Sequence, residues 1–133
     1  MDDLSEFDWG SSGHLAKEVD GETVWGGSVM ACLYFDKRIN HRNAYTDFPC
    51  RVTFRPGELE IAYSNDGPLR AGERPDMVYR GKENGPGHYY LWNGRNGAGK
   101  GNARMHLAKA NVLEGSWEED GLRGMWMVTL RRG

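Results

Sequence analysis

Apolar residues recur at every second position over several short stretches of this chain, and Gly, Pro and Asp separate the stretches. A period of two marks strands with one buried face. The stretch around Pro56-Gly57 shows it most plainly. A two-residue turn there sets Arg55 opposite Glu58, Phe54 opposite Leu59, Val52 opposite Ile61 and Cys50 opposite Tyr63. One face is then wholly apolar (Cys50, Val52, Phe54, Leu59, Ile61, Tyr63), and the other carries Arg51, Thr53, Arg55, Glu58 and Glu60. Slipping the register by one residue would mix the faces, so the pattern itself fixes the pairing.

Asp120-Gly121 predicts a second hairpin. Glu118 faces Arg123, Trp117 faces Gly124, Gly115 faces Trp126 and Leu113 faces Val128, so each Trp lies across from a Gly whose bare backbone its indole can cover. Leu113, Trp117, Trp126, Val128 and Leu130 form the buried face, whereas Met125 and Met127 fall on the opposite one. The acidic turn Glu118-Glu119-Asp120 reads as solvated. A third hairpin spans Gly87 to Leu107, pairing His88 with His106, Tyr90 with Arg104 and Trp92 with Asn102. Its long connection does not fix the register, and a helix from Asn102 to Leu113 competes on propensity; alternation of Ala103, Met105 and Leu107 favours strand. Asp76 to Arg80 predicts a short strand. Thr23 to Lys37 predicts a strand apolar on both faces, with Val29, Leu33 and Phe35 expected in the core and Met30, Cys32 and Tyr34 on the far side.

These elements predict an all-β fold: a small antiparallel barrel of about eight strands, closed or nearly closed, in meander order. One domain is expected over 1–133, with 1–13 as an irregular or briefly helical lead-in and 14–133 as the barrel. The expected core is Val29, Leu33, Phe35, Val52, Phe54, Leu59, Ile61, Leu91, Leu107, Leu113, Trp117, Trp126 and Val128.

Composition narrows the function. Seventeen Lys and Arg against 19 Asp and Glu give a net charge of −2, which argues against a nucleic-acid-binding protein or one held on anionic membranes. No run approaches the ~20 apolar residues of a membrane helix. Met1-Asp2-Asp3-Leu4-Ser5-Glu6 lacks the form of a secretion signal, and Cys32 and Cys50 read as two reduced thiols. A cytoplasmic protein without cofactor or metal is expected.

The ending Leu113-Glu114-Gly115-Ser116-Trp117-Glu118 … Gly124-Met125-Trp126-Met127-Val128-Thr129-Leu130 resembles the closing hairpins of lipocalin-like (calycin-type) small barrels. The resemblance covers the last third of the chain and rests on a Gly-x-Trp pattern. It implies a barrel with a lumen, and no functional residue is carried over from it.

Gly94-Arg95-Asn96-Gly97-Ala98-Gly99-Lys100 has the spacing of a phosphate-binding loop, yet Gly101 stands where Ser or Thr should hold magnesium, and too few residues follow for a parallel sheet. A hairpin loop offering Arg95 and Lys100 to an anion is the better reading. Asp36 to Asn43 is a charged segment expected to be a solvated loop. The most suggestive group is His88, Tyr90, Trp92, Arg104 and His106 on one face of the third hairpin. Arg104 beside Tyr90 and Trp92 can hold a planar anion between a guanidinium and aromatic faces. The expected function is a non-catalytic module binding a small molecule that is partly apolar and can be anionic. One alternative is a small barrel enzyme of cyclase, isomerase or hydrolase type, with His88 or His106 as acid–base and Arg104 as polarising group; no catalytic residue stands out. Another is a structural or protein-interaction subunit. A homodimer is expected, because Met125, Met127, Met30, Cys32 and Tyr34 remain after the core is assigned and need cover from a second copy or from Leu4, Phe7 and Trp9 of the lead-in.

Overall fold

The computed structural model describes residues 18–19, 21–36, 41–65, 67–69, 72–93, 101–119 and 122–132. The lead-in 1–13 and the loop holding Arg95 and Lys100 lie outside the described residues.

The strands are β1 (Glu18–Val19), β2 (Glu22–Asp36), β3 (His41–Arg55), β4 (Glu58–Tyr63), β5 (Met77–Glu83), β6 (His88–Asn93), β7 (Gly101–Lys109), β8 (Val112–Glu119) and β9 (Leu122–Thr129). Each pairs with the next in antiparallel fashion, and β9 returns to pair with β2, closing an eight-stranded meander barrel from β2 to β9. The short β1 adds to β2 beyond the end of β9. Among the described residues there is no helix, hence none long and apolar enough to cross a membrane.

The hairpin registers agree with the alternation. Phe54 pairs with Leu59 and Val52 with Ile61; Trp117 pairs with Gly124 and Gly115 with Trp126; His88 pairs with His106 and Tyr90 with Arg104. Residues 102–109 are strand, so the competing helix does not form. A methyl at Gly115 would run into the Arg104 carbonyl, and one at Gly124 into the backbone of Leu33 and Tyr34. Bare backbone at both positions lets neighbouring strands close in around the curve of the wall.

Two expectations need correction. First, β3 begins at His41, paired with Asp36 on β2, so much of the segment expected as a solvated loop continues the hairpin. Second, the faces of β2 are exchanged. Met30 and Cys32 are buried in the interior, whereas Leu33 and Phe35 are exposed on the outer wall at 50% and 39% of their surface. Two bulges help set this phase. Gly26 and Gly27 together oppose one residue of β3, and Thr46 and Asp47 together oppose Ala31, with Asp47 in the left-handed region at φ 55°. The first bulge is tied to the end of the chain: Gly27 N donates to the Arg131 carbonyl at 3.0 Å, and Arg131 N donates to Ser28 Oγ at 3.1 Å.

Inside the barrel the two ends differ. The end with the turns at 56–57, 84–87 and 110–111 is filled by Leu59, Leu91, Leu113, Val128 and Leu130, with the Phe54 and Tyr89 rings packed edge-on at 6.0 Å. The opposite end gathers the aromatic residues.

Candidate functional site

Eight strands enclose an interior just wide enough for packed side chains or one small ligand. At the aromatic end this interior opens into a cup of about 350 Å3, near the lower limit of the roughly 300–1,000 Å3 typical of small-molecule sites. Inward positions of β2, β3 and β4 supply Tyr34, Tyr45, Phe48 and Tyr63 to its wall, and β8 and β9 supply Trp117, Glu119 and Trp126.

The rings form a continuous belt. Trp117 lies 5.7 Å from Tyr34, Tyr34 lies 6.5 Å from Tyr45, Tyr45 lies 5.4 Å from Phe48, and Phe48 lies 5.8 Å from Tyr63, every pair tilted or edge-on. Deeper down, Tyr79 meets Trp126 edge-on at 5.2 Å. These are the favoured arrangements for ring quadrupoles. The buried polar ends find partners. Trp126 donates its indole N–H to Met30 Sδ at 3.2 Å, and Trp117 donates to Cys32 Sγ at 3.0 Å. Tyr79 donates its hydroxyl to Glu119 Oε1 at 2.7 Å. A methyl at Gly101 would sit 2.5 Å from that hydroxyl and 3.2 Å from Glu119 Cγ, so glycine there keeps room for the pair.

Burial pushes the Tyr45, Tyr63 and Tyr79 phenols well above their usual range, and the Glu119 charge adds to the effect at Tyr63 and Tyr79. All three are therefore neutral donors at physiological pH. Burial likewise raises the Cys32 thiol, and it pushes Cys50 up to about 12, so both are thiols rather than thiolates. Above the cup, Asp76 Oδ2 accepts from Ser64 Oγ at 3.1 Å and from Asn65 N at 2.8 Å, tying the connection between β4 and β5 across the rim.

The residues singled out from sequence come together elsewhere. His88, Tyr90, Trp92, Arg104 and His106 form a ladder on the outer wall of β6 and β7, not in the lumen. The imidazoles of His88 and His106 stack at 5.5 Å, Tyr90 and Trp92 pack edge-on at 4.8 Å, and the Arg104 guanidinium sits 5.1 Å from the Tyr90 ring. His106 Nε2 lies 3.5 Å from Glu114, and Trp92 is 54% exposed. Two open depressions of about 560 and 430 Å3 also lie along the β8–β9–β2 wall; Arg104 borders the first and His106 the second. Leu33, Met125 and Met127 line this wall. The apolar face left over from the core is thus Leu33, Phe35, Met125 and Met127, since Met30, Cys32 and Tyr34 point inward.

Sequence reasoning missed Glu119, read as part of a solvated turn. The signal was present: in the Asp120-Gly121 hairpin Glu119 has the parity of Leu113 and Trp117 and therefore points inward. Among the described residues, no three His, Cys, Asp or Glu side chains cluster to hold a metal. No protein-family model matches the chain, and no curated protein matches it.

Proposed function

We propose that this protein is a non-catalytic small-molecule-binding barrel whose ligand enters the aromatic end and rests against the ring belt. The observation that carries the reading is the asymmetry of the interior. One end is packed with aliphatic side chains, while the other keeps a concave space lined by rings and a hydrogen-bonded carboxylate. Concave, mostly apolar pockets with a few placed polar groups are the usual form of small-ligand sites. The resemblance of the closing hairpins to lipocalin-like barrels supports the same reading. The acid–base alternative has less support, because the two imidazoles stack along the outer wall rather than face an enclosed space.

Trp117 and Trp126 line the cup, so occupancy should change their emission. Titration with benzyl alcohol is expected to give a saturable change in tryptophan fluorescence. The change should be lost in Met77→Trp, which fills the cup, and kept in Trp92→Ala, which alters only the outer wall. A linear, unsaturable response, or one abolished by Trp92→Ala alone, would overturn the reading.

A further inference from the structure

The described lining of the cup is uneven in charge. Among its described lining residues Glu119 is the one charged side chain, and no Arg, Lys or His joins it. Arg104, the described cation expected to hold an anion, is on the outer wall. Among these described residues an anion would meet the Glu119 carboxylate with no cation beside it. A cation would meet one carboxylate as counter-charge and a belt of aromatic rings, whose π-systems attract cations. Tyr79 occupies Glu119 Oε1 from below at 2.7 Å, which holds the carboxylate in place and leaves further lone pairs for a second donor.

We propose that the ligand is an organic cation, a protonated amine or quaternary ammonium on an aromatic or aliphatic body. Its ammonium is neutralised by Glu119 and its carbon atoms are stacked against Trp117, Tyr34 and Tyr63. This rests on the reading of the cup as a ligand site and adds the class of ligand. It sets a cation in place of the anionic option that the sequence left open, because the Arg104 guanidinium that suggested an anion faces away from the lumen. Small size follows from the volume, and permanent charge is compatible with the site because cation–π attraction strengthens when the cation is desolvated.

The test is calorimetric titration of the full chain with three probes of one shape class: benzyltrimethylammonium, benzyl alcohol and phenylacetate. The cation is expected to bind at least about tenfold more tightly than the alcohol, and the anion more weakly than either. Glu119→Gln keeps an acceptor for the Tyr79 hydroxyl while removing the charge. It is expected to lower the cation's affinity about tenfold and leave the alcohol within twofold. Tyr79→Phe keeps the carboxylate and should keep the order cation over alcohol over anion, which guards against a Glu119→Gln protein that fails to fold. If the alcohol and phenylacetate bind as tightly as the cation, or Glu119→Gln leaves the cation's affinity unchanged, the charge assignment is wrong while the cup remains a ligand site. If none of the three binds, the cup itself is not one.

Discussion

The two ends of the barrel follow the same alternation yet reach opposite outcomes. At the end with the short turns, inward positions carry Leu59, Leu91, Leu113 and Leu130, whose side chains have no polar atoms and pack together, buried, in the core. At the other end, inward positions carry Tyr34, Tyr45, Tyr63, Trp117 and Glu119. Phenols, an indole and a carboxylate cannot be pressed together without partners for their polar ends. They stand apart around a space and satisfy those ends along the wall, as Tyr79 does with Glu119 and Trp117 with Cys32. Residue type at the inward positions, rather than strand number or turn length, decides which end is filled and which is hollow.

The comparison can be strained first where the two ends meet. Trp126 is buried at 5% exposure between the filled core and the cup. Trp126→Ala should cost about 3–5 kcal/mol, read from the urea midpoint, because it leaves a large void beneath Tyr79. An unchanged midpoint would contradict the packing. Gly115→Ala comes next, since its methyl meets the Arg104 carbonyl across the β7–β8 ladder. A loss of about 1–3 kcal/mol is expected without any new space being created. Val at the same position should cost more.

Alkaline pH tests the burial of the interior phenols and thiols, Tyr89 at the filled end included, without mutation. The raised phenols and the Cys50 thiol, at about 12, hold their protons more tightly folded than unfolded. Their stabilisation is complete below the unfolded values, near 9 for the thiol and 10 for the phenols, and is lost as pH rises through the folded ones. Each such group contributes a fall of about 1.4 kcal/mol per pH unit within that window. Denaturation midpoints should therefore hold steady to about pH 9 and then fall; Tyr63→Phe should flatten the slope. A stability that rises above pH 10 would contradict the burial of these groups. The smallest effect is expected at the rim. Tyr45→Phe should change stability by about 1 kcal/mol or less. It should nonetheless alter the affinity for benzyltrimethylammonium, since the ring belt rather than the core is affected.

How far the sequence reveals this depends on the same distinction. The hairpins at Pro56-Gly57 and Asp120-Gly121 are legible because their turns are short and one face of each is polar. The His88–His106 register is legible despite a long connection, because Leu91, Ala103 and Met105 alternate cleanly. The inward face of β2 is not legible. Both faces are apolar, so alternation gives two answers, and the bulges at Gly26-Gly27 and at Asp47 shift its phase against β3. That ambiguity also hid the cup, since Met30 and Tyr34 belong to it. On β6 and β7 the cluster of His, Tyr, Trp and Arg was correctly read as one face, but nothing in its pattern distinguishes an outer wall from a lumen when both carry rings. Glu119 was readable by parity and was obscured by its acidic neighbours.

The most direct test of the central account, a filled end and a hollow aromatic end, is residue-by-residue mapping of amide and side-chain resonances as benzyltrimethylammonium is added. The account predicts saturable shifts at Tyr34, Tyr63, Trp117 and Glu119, with Leu59, Leu113 and the outer-wall residues Trp92 and Arg104 unmoved. Shifts centred on Trp92, Arg104 and His106, with the lumen silent, would contradict it.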